Sequence, residues 1–380
     1  MTSHHIPNQG RVAEARNYDP WHLHEPSSQW IDFCHTNGIP WCGVTSPDDE
    51  FPYQEDFDTQ ITNQWAASAQ HEKRRKGYES RVKICNSTIP RVKEPNNPIS
   101  IRLYYPIAFF GQRGTADPLP LYIHFRGGGF LCGDLDTEDA ICAEMVSSLT
   151  PTCPIIVISI DYRSTVEEPF PAMYHDAWEA FEFIQGRIRG YGGDPKRVIL
   201  GGEDSGAALA LWVAMFAKKT EVVPKTQRLN IVGLNLTTPW FPHMDVEKAA
   251  QTEFSRYQCW NAPFLPMAVH HMYRDMLEME ESNLSHFTVG ECSDFSGLPR
   301  TCMLVAGQSL LRDQALRLAY CMEQAGVRVS IEIFSGMPHE FRRIYVLPQA
   351  EVANTMVEDN IRWILRMPGR LYTDQNSHKL

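Results

Sequence analysis

A chain of 380 residues with 43% hydrophobic content can bury a substantial core, as one α/β domain with a cap or as two or three smaller domains. Its formal charge of −11 disfavours nucleic acid or an anionic membrane surface as a partner. The ten cysteines include no C-x-x-C pair and no zinc-like spacing, the polar start Met1 to Gly10 lacks the apolar run of a secretory signal, and no stretch is long and apolar enough to span a bilayer, so a reduced, cytoplasmic protein is expected.

Residues 1–80 scatter Trp21, Trp30, Trp41 and Trp65 among polar residues and read as an N-terminal cap or lid, with Asp48, Asp49 and Glu50 in a solvated loop. Within it, Gln64 to Gly77 reads as a helix whose basic last turn, Lys73 to Lys76, suits the helix dipole. Strands are expected at Arg81 to Cys85, Ile99 to Tyr105 and Leu119 to Phe125. The last runs into Arg126-Gly-Gly-Gly-Phe130. A helix over Glu138 to Leu149 follows, then the apolar strand Ile155 to Ile160, suited to the middle of a parallel sheet. Pro169-Phe-Pro-Ala172 opens a helix to about Arg189.

The segment Arg197 to Ala210 then passes from the strand Val198 to Leu200, through a corner rich in small residues, into an apolar helix, Ala207 to Ala217. Gly202 and Gly206 flank the corner, which places Asp204 at its centre and Ser205 one position later. Small neighbours are what a sharply turned, strained central residue requires. A strand over Ile231 to Leu236 comes next. Residues 238–298, with Trp240, Trp260, His270-His271 and Tyr273, break the rhythm and read as a second cap insertion. The strand Cys302 to Ala306, the helix Asp313 to Ala325, the strand Val327 to Phe334 and the helix Gln349 to Met367 restore it, and the tail 371–380 is expected to be flexible. Alternating strands and helices imply a mostly parallel central sheet with helices on both faces, its core formed by 81–237 and 299–370.

Several motifs in this order, Phe125-Arg-Gly-Gly-Gly-Phe130, Gly133-Asp-Leu-Asp-Thr137, Asp161-Tyr-Arg163 with Pro169-Phe-Pro-Ala172, Asp194-Pro-Lys-Arg197, Leu310-Leu-Arg-Asp313 and Met337-Pro-His-Glu-Phe341, resemble the hormone-sensitive-lipase-like branch of the α/β-hydrolase superfamily. The resemblance covers roughly residues 80–366 and implies the α/β-hydrolase fold with a helical cap. It also implies a nucleophile elbow, G-x-S-x-G, at Gly202 to Gly206. The departures shape the functional expectation. Arg126 stands where the family has the histidine of H-G-G-G, Asp204 where it has the serine, and Ser309 where it has the triad acid; His339 matches the triad histidine. His124, two residues before Arg126, reads as a satisfied histidine of the strand. A gapped alignment making Ser205 the nucleophile loses both glycine matches.

An aspartate at this corner is the nucleophile of epoxide hydrolases and haloalkane dehalogenases, where histidine-activated water cleaves the ester it forms; at a helix N-terminus its anionic form is favoured. The expected catalytic set is therefore Asp204, as nucleophile or general base, His339 as acid or base, and Ser309 orienting its ring. Asp313 is the substitute orienting group, though its match suggests a structural role. The amides of Gly127, Gly128 and Ser205 are expected as the oxyanion hole, and Arg126, Glu203 and Trp240 as substrate contacts. No metal is expected, since His4-His5, His22/His24 and His270-His271 lack supporting ligands. No cofactor is expected either, since no nucleotide-binding loop occurs. The partner expected is a moderately apolar small molecule, with a homodimer as the assembly considered. The leading expectation is opening of an epoxide in a polyketide-type substrate, by water or by an internal hydroxyl. A non-hydrolytic cyclase or isomerase, a residual carboxylesterase and a non-catalytic ligand binder stand as alternatives.

Overall fold

The apolar strand Leu119–Phe125 (β3) lies near the middle of one eight-stranded sheet, between Ile156–Asp161 (β4) on one side and Gly193–Glu203 (β5) on the other. The computed structural model describes residues 22–37, 50, 54, 56–111, 117–220, 229–242, 253–279, 287, 289 and 294–367. Trp21, Trp41, Asp48, Asp49, His4-His5 and the tail 371–380 lie outside them. Numbering the strands along the chain, Val82–Ile89 (β1), Ile99–Pro106 (β2), β3, β4, β5, Ile231–Thr237 (β6), Arg300–Gln308 (β7) and Val329–Pro338 (β8), the sheet order is β1-β2-β4-β3-β5-β6-β7-β8. The β1–β2 and β2–β4 pairings are antiparallel and the rest parallel. This is the α/β-hydrolase arrangement. The first strand runs to Ile89 rather than Cys85 because Asn86, Ser87 and Thr88 continue the ladder with β2 while facing solvent, so their polarity hides the strand.

Chain order determines where chemistry can sit. From β3 the chain steps to β4 on one side, then returns to place β5 on the other, and loops leaving the carboxyl ends of strands at such a reversal diverge around a crevice. Phe125 and Gly202 are register partners, so the glycine run after β3 and the corner after β5 emerge side by side.

Side-chain alternation along the strands feeds two cores. Leu121, Ile123, Phe125, Val198 and Leu200 pack with Ala172–Arg187 (here α4), Asp204–Lys219 (α5) and Arg312–Gln324 (α8). Tyr122, Val157, Ile199 and Leu304 pack on the other face with Asp139–Leu149 (α3) and Pro348–Ile364 (α9). The eight described cysteines are free, and no helix among the described residues is long and apolar enough to cross a membrane.

The N-terminal segment does more than cover the body. The Gly336 amide donates to the Leu23 carbonyl at 2.9 Å and the Ser27 amide to the Gly336 carbonyl at 3.3 Å, and Trp30 of Ser28–Asn37 (α1) is fully buried in the second core. The helix expected from Gln64 begins at Phe57 (α2, Phe57–Lys76), with Asp58 in its first turn, and ends on Gly77 in the left-handed region, a C-terminal stop that glycine adopts without strain. After β6 come Phe254–Gln258 (α6) and Met267–Met276 (α7). The first is tied to α8 through the Ser255 amide and the Asp313 carboxylate, 2.8 Å apart, and Asp313 also accepts from Arg312 Nε at 2.7 Å; this is the structural role its sequence context suggested.

A β-carbon at Gly206 would lie 2.1 Å from the Phe125 carbonyl oxygen and 2.2 Å from that of Arg126. Both obstacles are backbone, so β3 and α5 must separate to admit it. The Gly206→Ala variant is expected to lose about 3 kcal/mol or more, read as a lower urea midpoint.

Candidate active site

Strand β5 passes into helix α5 without a connecting loop: Glu203 ends the strand and Asp204 begins the helix. Asp204 has φ 50, in the left-handed region that aspartate tolerates better than most residues. Its carboxylate stands at the amino end of α5, where the helix dipole favours negative charge. Oδ2 accepts two backbone bonds, from the Gly128 amide at 3.2 Å and from the Gly129 amide at 2.6 Å. Oδ1 lies 3.8 Å from His339 Nε2, too far for a direct hydrogen bond. Ser205 is fully buried and its hydroxyl lies 3.2 Å from that of Tyr162. Tyr162 spends its only proton on the Arg126 carbonyl, so Ser205 donates to Tyr162.

The glycine loop takes its shape from positions where a side chain cannot fit. Gly128 and Gly129 have φ 127 and 61, and a β-carbon on Gly129 would lie 2.1 Å from the Tyr273 ring of α7. Of the three amides expected to form an oxyanion hole, that of Gly128 reaches Asp204. The Gly127 amide is occupied, donating to Glu138 Oε1 at 2.9 Å, and Gly129 takes its place beside Gly128.

Two expected substrate contacts are structural instead. Arg126 is 2% exposed; it donates to the Cys132 carbonyl at 2.7 Å, the Tyr162 carbonyl at 2.8 Å and Asp161 at 3.2 Å, and stacks 4.3 Å from the Tyr162 ring centre. A buried guanidinium needs such acceptors, and meeting that need turns it into the body as a staple under the glycine loop. Glu203, also buried, pairs with Arg342, which in turn bonds Asn354 and Thr237. Trp240 is at the site: its amide donates to the Asp204 carbonyl at 3.2 Å, and its ring packs against Phe130 and His270.

His339 follows β8 and is 3% exposed. Burial lowers its pKa below the ordinary histidine value, with the Asp204 charge opposing, so the neutral ring dominates near pH 7. Nδ1 lies 3.2 Å from Ser309 Oγ, which also accepts the Leu311 amide at 3.2 Å. A hydroxyl can orient the ring but brings no negative charge to support an imidazolium.

Sequence reasoning passed over the groups around this set. Glu340, next to His339 and at φ 59, bonds Arg343 Nη1 at 2.5 Å, and Arg343 also pairs with Glu138 and lies 4.1 Å from the Trp65 ring centre of α2. Glu138 additionally bonds His124; Arg343, His124 and the Gly127 amide hold its carboxyl well below the usual range despite burial. For Glu340, burial first and the Asp204 charge after it outweigh Arg343, and its pKa is pushed up to about 7. The available signals were the third glycine of the loop and a carboxylate adjoining His339; the partners of Arg343 and Glu138 lie too far along the chain to be paired by spacing. Asp204, His339 and Glu340 each bring a potential ligand atom within 4.8 Å of the other two. A metal ion there would sit beside the Arg343 guanidinium that bonds Glu340, a cationic neighbour that opposes a second positive charge.

A family model described as the alpha/beta hydrolase fold matches residues 122–343. The chain belongs to the α/β-hydrolase fold family. Among similar hydrolases, the versiconal hemiacetal acetate esterase of Dothistroma septosporum is 25% identical over 67% of this chain and 75% of its own length. The esterase LipI of Mycobacterium tuberculosis is 27% identical over 65% and 72%; such relatives support the hormone-sensitive-lipase-like branch. Among solved structures, vibralactone cyclase superposes with a TM-score of 0.77 at 18% identity, covering 91% of this chain and 96% of that one. An esterase from Pyrobaculum calidifontis gives 0.69 at 20%, covering 90% and 99%. These structural likenesses bear on the hydrolase fold alone.

Two measurements check the assignments made from these contacts. Arg126→Ala is expected to cost on the order of 3 kcal/mol by stranding buried carbonyls, and Arg126→Lys to restore little of it because the planar fork is lost; urea denaturation reads both. Glu340 has a folded pKa raised to about 7 against an ordinary 4.5, so the stability it confers is complete below the unfolded value and is lost as pH rises through the folded one. Glu340→Gln should therefore gain stability relative to the parent between pH 5 and pH 8, by on the order of 2–3 kcal/mol. His339, lowered, acts oppositely in both proteins and cancels in the difference.

Proposed function

We propose that this α/β-hydrolase opens an epoxide in a moderately apolar, polyketide-type substrate, using Asp204 as the nucleophile and His339 as the base that activates water. The observation that carries the reading is the division of labour within one carboxylate: Oδ2 rests on two amides while Oδ1 points across a 3.8 Å gap at His339. A carboxylate whose one oxygen is already seated in an oxyanion hole has its other oxygen free to attack carbon. When water then adds to Cγ of the resulting ester, negative charge develops on Oδ2, where the Gly128 and Gly129 amides already point. No reorganisation is needed for that second step. The neutral His339 ring suits proton abstraction from water. Where the substrate carries a suitably placed hydroxyl, the same base can direct it at the epoxide and yield a cyclic ether; Asp204 then acts as a general base or electrostatic support.

Carboxylester hydrolysis is the second reading, favoured by the esterase names of the relatives. It requires Ser205, whose hydroxyl is committed to Tyr162, or Asp204, whose attack on an ester gives a mixed anhydride that reverts. The esterase reading therefore predicts rapid, Ser205-dependent release from p-nitrophenyl acetate, whereas the epoxide reading predicts negligible release.

Asp204→Ala is expected to abolish turnover of an epoxide such as styrene oxide. Single turnover in oxygen-18 water followed by mass spectrometry separates the routes: label in the Asp204 peptide marks an ester intermediate, and label confined to the product marks direct attack by water. Full activity of Asp204→Ala would remove this function from consideration.

A further inference from the structure

We propose that Glu340 is the proton donor of this site, delivering a proton to the oxygen that leaves carbon as Asp204 Oδ1 attacks; the proposal rests on the reading of Asp204 as a nucleophile. An epoxide needs such a donor, because its carbon–oxygen bond otherwise breaks to an unsupported alkoxide. Within the site, neutral His339 is reserved for water, and Ser309 in contact with Nδ1 leaves the imidazolium without a carboxylate behind it. A carboxyl group stands in front of the ring instead. Glu340 directly follows His339, its left-handed backbone at φ 59 turns the chain within one residue, and its carboxyl oxygen lies within 4.8 Å of both Asp204 and His339.

The surrounding charges decide which carboxyl keeps a proton. The ionisable groups facing this cluster are Asp204 from α5, Glu138 at the start of α3, Arg343 and His339 beyond β8, and, more weakly, Cys132 and Tyr273. Two carboxylates, Glu138 and Glu340, thus pair with one guanidinium, and the charge of a third, Asp204, bears on Glu340. Asp204 has two amides and the amino end of α5. Glu138 has Arg343, His124 and the Gly127 amide. Among the described residues Glu340 has only its share of Arg343, and its side chain is 12% exposed, so it is the group on which a proton relieves the crowding of negative charge. A pKa near 7 suits a general acid at neutral pH.

The proton account closes. Asp204 Oδ1 bonds to carbon as the epoxide carbon–oxygen bond breaks, and the Glu340 proton passes to the departing oxygen, which becomes the first hydroxyl. Water then adds to Asp204 Cγ while His339 takes its proton, and the oxyanion forms on Oδ2. Collapse releases the second oxygen, protonated by His339. The proton left on the Asp204 carboxyl returns to Glu340. The sum is epoxide plus water to diol.

The test compares two alkylating probes, styrene oxide, whose leaving oxygen needs a proton, and 2-phenylethyl bromide, whose bromide does not. Formation of the Asp204 adduct is followed by mass spectrometry in the parent, in Glu340→Gln and in Asp204→Asn. Glu340→Gln keeps the shape and a hydrogen bond to Arg343 but has no acidic proton. It is expected to slow alkylation by styrene oxide about 100-fold or more and leave alkylation by the bromide at the parent rate, which also shows that the variant site is intact. The fall of the styrene oxide rate above pH 7, expected in the parent, should be absent in the variant. Equal slowing of both probes, or none of either with the adduct still on Asp204, overturns the role of Glu340 while leaving that of Asp204 standing. Absence of an Asp204 adduct in the parent, or undiminished turnover by Asp204→Asn, overturns the reading of Asp204 and with it this proposal.

Discussion

The structure depends on two backbone amides meeting one side-chain oxygen across the gap between neighbouring parallel strands. For Gly128 and Gly129 to reach Asp204 Oδ2, the loop after β3 and the corner after β5 must approach until no β-carbon fits between them. Gly202 and Gly206 meet the Phe125 carbonyl on one side of that contact; Gly129 meets Tyr273 on the other. The contact also explains a carboxylate at a buried, left-handed position. The amides and the amino end of the helix provide in fixed form the donors that water would have provided.

Around that contact the protein buries more charge than stability alone would favour. Arg126, Arg342 and Arg343 are each at most 5% exposed, and each bonds carbonyl or carboxylate oxygens, with Arg343 Nε left without a partner among the described residues. Buried ion pairs are weak contributors to net stability but costly to break on one side only. Here they join elements: Arg342 links the segment after β8 to β5 and α9, and Arg343 links it to the start of α3 and to α2. Glu138 binds both Arg343 and the Gly127 amide, so the network that places Glu340 also shapes the glycine loop. Positioning of the loop and the ionisation of the carboxyl beside His339 are thereby one electrostatic arrangement.

The hydrolase fold was legible in the chain because its signals are local. Apolar strands such as β3 and β4, the small-residue corner at Gly202 to Gly206, and helices of ordinary amphipathic length announce themselves within a window of ten or so residues. The limits of elements were less legible where polar residues continue a ladder, as in β1, or where a helix begins among polar residues, as in α2.

Residue identity alone determined that a carboxylate occupies the turn after β5 and that the nearest serine is displaced by one position, since both follow from counting between two glycines. Only the tertiary structure decided what the neighbouring charges do. Arg126 and Glu203 adjoin the site in sequence, yet each is buried against a partner that spacing cannot reveal, Tyr162 and Asp161 for one and Arg342 for the other. Glu340 looked like one more residue of a strand-end motif until burial and two facing carboxylates were placed around it. The physical reason is range. Backbone geometry is dictated by neighbours along the chain, whereas the state of an ionisable group is dictated by whatever folding brings within a few ångströms of it.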